Sequence, residues 1–492
     1  KTRGEYTNKY LQLFEALTKQ KAYDEEKLMN TLGYQDQSSS FFVAKNYLYQ
    51  LIIKSLRNYT SSKSPMYEVM ELLQEVEILY HKRLFKDSRR RVIKARKIAE
   101  EHFYHHCITL ICVWERRLVE QLEVSENIFQ SYEAIMSKEE QAVRDLQIEM
   151  NYFNQYKALF FYNLQSGCIN DPAERASFIA QFSNALPKDI NLPTTPLSKL
   201  FLFSFWSVYH EAIRDSRQQM YWNQQIIKLF ESTPILKKTY QENYLLALIA
   251  YLYNLIELSR VKEYLEERSL LIALDVDASI FDMLQKRELG LLFLESYYWS
   301  RIGRFNQIVK VDMIQRIKDY FEKKAWLIND KYEVHLCSIV NWAFICTYQY
   351  EMALEWNIQM GRHIDKNNFV DFYIHNQLIK LIIHYELKNF RLLNSLVQSA
   401  QRFLFKKNKL NSKESAILYF FKKGRHFSIR REEREALYQL RKQLFDQKKQ
   451  MDQSLLYNRD IGYWVDGKCQ YKSIGKVVEE AFAQQAKDSK KS

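Results

Sequence analysis

The residues with the clearest potential for chemistry are histidines and cysteines between positions 101 and 112. His102 and His106 are four residues apart, and on a helix this spacing places both imidazoles on one face, where they could bind a divalent metal ion. A complete zinc site needs further ligands, which His81 or Cys112 would have to supply. The alternative is that His102 and His106 border a seam between packed helices. We expect the alternative, and we predict no metal site and no cofactor.

Sequence motifs of the familiar enzyme classes are absent. The chain has no GxxxxGK[ST] or GxGxxG loop, no GxSxG nucleophile turn and no HExxH zinc motif. Its 10 glycines stand singly, and Gly467-Lys468 and Gly475-Lys476 lack the loop spacing that a phosphate cradle needs. We therefore predict that the protein is not an enzyme.

Two clusters of basic residues are the best candidates for a binding surface. The chain has a formal net charge of +13, which favours polyanions or acidic protein surfaces by long-range attraction. The first cluster lies between residues 82 and 97, and the second lies between residues 402 and 434. The candidate partner-binding residues in them are Arg89, Arg90, Arg91, Lys94, Lys97, Lys406, Lys407, Lys422, Lys423, Arg425, Arg430 and Arg431.

Each cluster has more than one interpretation. A run of charges is most often a solvated helix face that binds nothing. The functional interpretation is an anion-binding surface, either for acidic protein segments or for nucleic-acid phosphates. Aromatic residues interleave the second cluster and could stack on bases, although at helical spacing they more often form the core face of their own helices. These residues are Phe403, Phe405, Tyr419, Phe420, Phe421 and Phe427.

The elements that position these residues are helices. Only 10 glycines and 6 prolines occur in 492 residues, which leaves few breakers for hairpins and tight turns. Apolar residues recur every three or four positions over long stretches, as in amphipathic helices. Aromatic residues make up 15 % of the chain, which suits many helix–helix seams. We predict an all-α fold, and we expect no membrane span because no stretch of 18 apolar residues occurs.

One pattern recurs along the chain. An aromatic-rich helix ends in a short polar turn, an aromatic residue closes the turn, and a second helix follows. The turn aromatics are Phe85, Phe305, Tyr350 and Phe390, and the last three are 45 and 40 residues apart. The second helices place their packing residues about three, seven and ten positions later, at Ser88, Val92, Ala95, Ile308, Met313, Ile314, Ile317, Ala353, Asn357, Met360, Leu393, Val397 and Ala400.

This pattern resembles the tetratricopeptide repeat, in which a small residue and an aromatic residue near the turn let two helices pack closely. Ala353 and Ala400 stand where that family has small side chains, and Gly303 stands where it has the turn glycine. Trp206 and Pro234, 28 residues apart, match the aromatic residue of the first helix and the closing proline. The units depart from the family because they exceed about 34 residues and lack its mid-helix glycine.

The resemblance implies a right-handed α-solenoid of antiparallel helix pairs over residues 66–120 and 197–410. In such an array each pair covers the apolar face of its neighbour, so the stack grows in one dimension. The first helices of the pairs would line a concave groove, which is the default binding surface of the family.

Breaks in the helical pattern predict five segments. We expect an N-terminal helical cap at 1–60, a first helical-repeat array at 66–186, a Pro-rich linker or hinge at 187–196, a second array at 197–444 and a polar C-terminal segment at 445–492. In the last segment we predict extended or turn structure at 461–470 and a disordered end from residue 484. The N-terminal helices could also form a DNA-binding helix-turn-helix, but the second of them is too apolar for a helix that reads a groove.

These observations predict the class of function but not the partner. The six cysteines are scattered without a CxxC pair and are expected to be reduced, which favours the cytoplasm. We predict a non-catalytic protein–protein interaction scaffold that binds an acidic or amphipathic protein segment, with membership of a larger assembly left open. The alternative is a nucleic-acid-binding or regulatory helical-repeat protein that uses the basic clusters.

Overall fold

The described part of the chain is helical throughout. The computed structural model describes residues 3–20, 23–34, 38–61, 64–122, 128–166, 169, 172–183, 195–276, 281–324, 330–364, 367–423, 430–445 and 456–488. Within these ranges every regular element is an α-helix and no strand occurs, so the all-α prediction is confirmed. None of the helices in these ranges combines the length and the apolar character needed to cross a bilayer.

The chain divides into two compact units, Lys1–Leu146 (unit 1) and Gln147–Ser492 (unit 2). Of the predicted hinge at 187–196, residues 187–194 lie outside the described ranges, so this boundary stays a prediction.

The described residues of unit 1 form six helices and the beginning of a seventh. They are α1 Arg3–Thr18, α2 Glu25–Leu32, α3 Ser38–Ser61, α4 Pro65–His81, α5 Phe85–Glu101, α6 His105–Leu122 and α7 Ile128–Ser166, which continues into unit 2. Local signals explain the limits of α2. The Asp24 carboxylate accepts a hydrogen bond from the Lys27 amide, and Gly33 ends the helix with a φ of +71°, as its position in the sequence predicts.

The other helices belong to unit 2. They are α8 Pro172–Ser183, α9 Pro196–Ala212, α10 Ser216–Ser232, α11 Pro234–Thr239, α12 Gln241–Glu257, α13 Val261–Ile272, α14 Phe281–Arg301, α15 Phe305–Ile308, α16 Val311–Lys323, α17 Lys331–Cys346, α18 Tyr350–His363, α19 Val370–Glu386, α20 Phe390–Lys406, α21 Ser412–Lys423, α22 Arg430–Phe445, α23 Leu456–Gln470 and α24 Ile474–Asp488. Capping boxes at Thr195 and Asp330 start α9 and α17, where side chains satisfy the free amides of the first turn.

One inter-helix turn recurs through unit 2. Its central residue adopts a left-handed conformation at Arg214, Ser259, Gly303, Tyr348 and Lys388, which are 45, 44, 45 and 40 residues apart. The same turn also occurs at Asn408 and Tyr471, which lie outside this regular series. In each case the amide of the following residue donates to the carbonyl five residues earlier, the closing bond of a Schellman motif. Because glycine occupies only one of the five positions, packing rather than local preference imposes this conformation on the other four.

The predicted packing positions of the second helices are all buried. Ser88, Val92 and Ala95 lie in the core between α4 and α6, and Ala353, Leu393 and Val397 are equally enclosed in unit 2. One detail differs from the expectation. The segment after Phe305 forms two helices, α15 and α16, because the chain leaves the helix at Val309 and Lys310.

The prediction of extended or turn structure at 461–470 is wrong, because these residues belong to α23. Gly462 and Gly467 suggested a turn, but both lie inside the helix and allow a close approach. A Cβ on Gly462 would lie 3.1 Å from Cζ of Phe445, and a Cβ on Gly467 would lie 3.0 Å from the Lys472 carbonyl oxygen. The expected disorder from residue 484 is also wrong up to Asp488, where α24 ends; residues 489–492 lie outside the described ranges.

Candidate binding surfaces

The first basic cluster lies on the exposed face of α5 in unit 1. All five candidate residues on this helix are exposed: Arg89, Arg90, Arg91, Lys94 and Lys97. Ser88, Val92, Ala95 and Ala99 form the opposite, buried face, so the amphipathic pattern orients the cations outward.

Acidic residues of the preceding helix neutralise part of this cluster. Arg91 Nε lies 3.0 Å from a Glu75 carboxylate oxygen, and Lys94 Nζ lies 2.7 Å from Glu68. Arg90 also pairs with Asp87 at 3.1 Å. Exposed pairs of this kind contribute about 0–1 kcal/mol each, so they can be exchanged for a partner's carboxylates at little cost. Together with Leu79, these α5 residues line a shallow groove.

The second basic cluster is only partly within the described residues. Lys406 is the last residue of α20, and Lys407 follows it. Lys422 and Lys423 are the last two residues of α21, and Arg431 is exposed in the first turn of α22. Arg425 lies outside the described ranges, and the side chain of Arg430 is not described. The structure therefore places four lysines at the C-terminal ends of two helices that contact each other, where the helix dipole favours cations.

The aromatic residues of the second cluster divide into two groups. Phe420 and Phe421 are buried and contact Trp464, which is the core role that helical spacing favours. Phe405 and Tyr419 remain 74 % and 58 % exposed, and Lys423 Nζ lies 4.7 Å from the centre of the Tyr419 ring. Phe427 lies outside the described ranges. Helix α21 therefore exposes an aromatic–cation pair, and α20 exposes Phe405 next to Lys406.

The expectation that His102 and His106 share one helix face is wrong. Helix α5 ends at Glu101 and α6 begins at His105, so a turn with Phe103 at a φ of 59° separates the two histidines. His102 stacks on Tyr104 at 5.6 Å between ring centres, and both are buried. This geometry fits the alternative interpretation for His102, which borders a seam, whereas His106 is exposed. Across the described residues, no group of three or more His, Cys, Asp or Glu side chains could hold a metal ion.

The first helices of the pairs in unit 2 are covered on more than one side. Every residue of α17 from Glu333 to Cys346 is buried, whereas a surface helix buries only one stripe. The C-terminal helices supply part of the cover, because α23 contacts α19 and α24 contacts α14. Trp464 Nε1 donates to Glu386 Oε1 at 2.7 Å, and Lys468 Nζ donates to Oε2 of the same carboxylate at 2.8 Å.

A buried charged network holds this cover in place, and the sequence analysis missed it. Arg301 and Arg459 lie 3.6 Å and 3.5 Å from Oε1 of Glu257. Gln485 of α24 accepts a hydrogen bond from Arg301 and donates to the Glu257 carbonyl oxygen. Burial would raise the pKa of Glu257, but the two guanidinium groups outweigh it and hold that pKa below its ordinary value. The carboxylate therefore stays ionised and joins α12 to α14 and α23, while Gln485 joins α24 to Arg301 and to the Glu257 backbone.

A partly exposed ion pair lies beside a small cavity. Lys331 Nζ donates to both carboxylate oxygens of Glu211, at 2.9 Å and 3.1 Å. Burial would lower the pKa of Lys331, but the Glu211 carboxylate outweighs it and raises that pKa above its ordinary value. The cavity measures about 100 Å³ and is lined in part by Phe160, Asn163 and Phe372. Pockets for small-molecule substrates are typically about 300–1,000 Å³, so this cavity has room for only a few waters.

Burial shifts the pKa values of several titratable groups in the core. His335 is surrounded by the rings of Tyr253, Phe293, Tyr297 and Phe372, and burial lowers its pKa to about 3. Burial also raises the pKa values of the Cys107, Cys337 and Cys346 thiols, to about 11 for Cys107. Thiols of this kind are not thiolate nucleophiles at neutral pH.

No protein-family model, no curated protein and no solved structure matches this chain. Its function is therefore argued from the geometry of its own surfaces.

Proposed function

We propose that the chain is a non-catalytic protein–protein interaction scaffold, built as a tetratricopeptide-like, right-handed α-solenoid, which binds an acidic or amphipathic protein segment. The observation that carries the proposal is the recurrence of one inter-helix turn at 40- to 45-residue intervals in unit 2. A chain that repeats one helix pair builds an elongated surface without a central pocket, and such surfaces serve macromolecular binding. We place the scaffold in the cytoplasm, where its five described free cysteines would remain thiols, and leave its membership of a larger assembly open.

The absence of catalysis is part of the proposal and has its own support. The interior charges form pairs, with Lys331 on Glu211 and with Arg301 and Arg459 on Glu257. The cavity beside Lys331 is too small for an ordinary substrate.

The test is affinity purification of the tagged full-length chain from its native organism, with and without nuclease, followed by mass spectrometry. The proposal predicts a protein partner that survives nuclease treatment and is weakened by the double variant Lys422→Glu, Lys423→Glu. Lys262→Glu is the matched control, because Lys262 is also an exposed helix lysine. Recovery of nucleic acid with no protein partner would contradict the scaffold.

Nucleic-acid binding is the second candidate function. The observation that favours it is the exposed surface in which Lys423 lies over the Tyr419 ring and Phe405 projects from the neighbouring helix. Aromatic rings next to cations bind single strands by stacking, with a strong dependence on salt. Titration of labelled single-stranded RNA and DNA at two salt concentrations tests it. Binding that is absent at moderate salt, or that is unchanged in Tyr419→Ala, would exclude this surface.

A further inference from the structure

Helix α3 exposes more large apolar side chains than a surface helix needs. Its buried face is formed by Phe41, Ala44 and Leu48, which pack against Leu13 of α1 and Leu28 of α2. A separate row of apolar residues lies outside this core. Its members and their exposed fractions are Phe42 (64 %), Tyr49 (58 %), Ile53 (43 %) and Leu56 (53 %).

These four residues lie in one row along the helix, here named the α3 stripe. Lys45 lies between Phe42 and Tyr49 in the sequence, with its Nζ 5.3 Å from the centre of the Phe42 ring. Phe42, Tyr49 and Leu56 are seven residues apart, and Ile53 follows Tyr49 by four, so all four lie on one side of the helix. At 1.5 Å per residue the stripe is about 21 Å long. An apolar row of this length and spacing is the pattern by which one helix binds along another. Exposed apolar patches on folded proteins mark interaction sites.

The charge of α3 indicates the chemistry of the occupant. Between Ser38 and Ser61 the helix carries Lys45, Lys54 and Arg57 and no acidic residue. Lys45 pairs with Glu25 at 2.6 Å. Lys54 and Arg57 are exposed, and neither forms an ion pair with another residue in the described part of the chain. A helix that flanks its own apolar row with carboxylates would therefore complement the stripe.

The same charges disfavour a second copy of the chain as the occupant. Pairing of two α3 helices would bring only cations together along the seam, and like charges at such distances repel.

A lipid surface fits less well because the exposed apolar residues of α3 do not form one continuous arc around the helix. A polar row separates the stripe from a second set of exposed apolar residues, Val43, Tyr47 and Leu51; this row consists of Asn46, Gln50, Lys54 and Arg57. A flat bilayer surface cannot bury both apolar sets and leave that row in water.

We propose that the α3 stripe is the docking site for an amphipathic helix of a protein partner, which carries acidic residues beside its own apolar row. This inference rests on the proposed scaffold function and assigns a surface to it.

The probe is a fluorescent 18-residue helical peptide with leucines at positions i, i+4, i+7 and i+11 and glutamates on both flanks. A second peptide has the same leucines with lysine flanks. The full-length chain should bind the glutamate peptide about 10-fold more tightly than the lysine peptide. The double variant Ile53→Ser, Leu56→Ser should weaken binding of the glutamate peptide about 10-fold or more, because two apolar contacts are lost. Lys54→Glu combined with Arg57→Glu should reverse the preference between the peptides.

Ile93→Ser is the matched control, because Ile93 is equally exposed on α5 and lies outside the stripe. Circular dichroism verifies that each variant is folded. Equal binding of the glutamate peptide by the wild type and the Ile53→Ser, Leu56→Ser variant would overturn the proposal. So would a dimer in sedimentation equilibrium that this variant dissociates, or stripe-dependent binding to phosphatidylserine vesicles without peptide binding.

A failure of this inference can be told apart from a failure of the proposed function. If a native protein partner purifies equally well with the wild type and with the stripe variant, the scaffold stands and the α3 stripe is not its surface. If no protein partner purifies with the wild type, the scaffold function itself fails.

Discussion

Replacing Gly303 by alanine should lower the free energy of unfolding by about 3 kcal/mol. Gly303 occupies the recurrent turn with a φ of +73°, a conformation that costs a non-glycine residue roughly 1 kcal/mol. A Cβ at this position would also overlap the carbonyl oxygen of Gly475 and lie 3.0 Å from the amide nitrogen of Glu479. Both are backbone atoms of α24, so no side-chain rotation relieves the contact. The helix must move, and overpacking of this kind costs about 2 kcal/mol more.

Variants at two other glycines separate the cost of the left-handed backbone from the cost of the overlap with α24. Gly33 has nearly the same φ, +71°, but a Cβ there would meet nothing within 4 Å. Gly33→Ala should therefore cost only about 1 kcal/mol. Gly475 lies within α24, where alanine would ordinarily add about 1 kcal/mol of stability. A Cβ on Gly475 would lie 2.9 Å from the Gly303 carbonyl oxygen, so Gly475→Ala should give no such gain.

The assay is urea unfolding followed by circular dichroism, with hydrogen exchange as a local readout. Because Gly33 and Gly303 belong to different units, each variant is compared with the transition of its own unit. Gly303→Ala should also accelerate exchange in α24. If Gly303→Ala costs no more than Gly33→Ala, and α24 exchanges at the wild-type rate, the close approach of the turn and α24 does not exist in solution.

Three further predictions test the core of unit 2. His335 has a pKa near 3 in the folded protein, so below pH 6.5 the unfolded chain binds a proton that the folded chain does not. The free energy of unfolding should therefore fall by about 2 kcal/mol from pH 6.5 to 5. In the His335→Phe variant, urea unfolding should show no such fall from this residue. Lys388 holds a φ of 58°, so Lys388→Gly should raise the free energy of unfolding by about 1 kcal/mol, whereas an equal gain in Lys388→Ala would contradict the reasoning. Glu386→Leu leaves Trp464 Nε1 and Lys468 without their acceptor and should cost about 2–3 kcal/mol in thermal unfolding. Trp464→Phe also removes buried ring volume, so the double variant should lose less than the sum of the two single variants; additive losses would refute the coupling.

The helices and their packing positions were predictable because both depend on local order in the sequence. Ala353, Leu393 and Val397 repeat at helical spacing after an aromatic residue, and a buried helix face produces this pattern wherever it occurs. The errors arose where tertiary contacts override the local preference. Phe103 adopts a left-handed turn that its residue type disfavours, and this turn separated two histidines that the sequence had placed on one helix.

Salt bridges between distant parts of the chain were less predictable, because the two residues of each pair are far apart in the sequence. The α5 cluster contains Asp87 as its only acidic residue between positions 82 and 97, yet Glu68 and Glu75 of α4 neutralise two of its cations. The salt bridges from Lys331 to Glu211 and from Arg459 to Glu257 join residues 120 and 202 positions apart. No pattern of residue types encodes such distances.

The cover on the first helices of unit 2 determines where a partner can bind. In a repeat array the first helices ordinarily offer the binding face, but here the described residues of α23 and α24 already contact them. A partner on this face would have to separate Trp464 from Glu386 and Gln485 from Glu257, and each separation leaves buried polar groups without partners. Binding at an already exposed apolar surface carries no such cost. The α3 stripe meets this condition, and Lys422 and Lys423 are likewise exposed, so we favour these two surfaces over the first-helix face as sites of the scaffold.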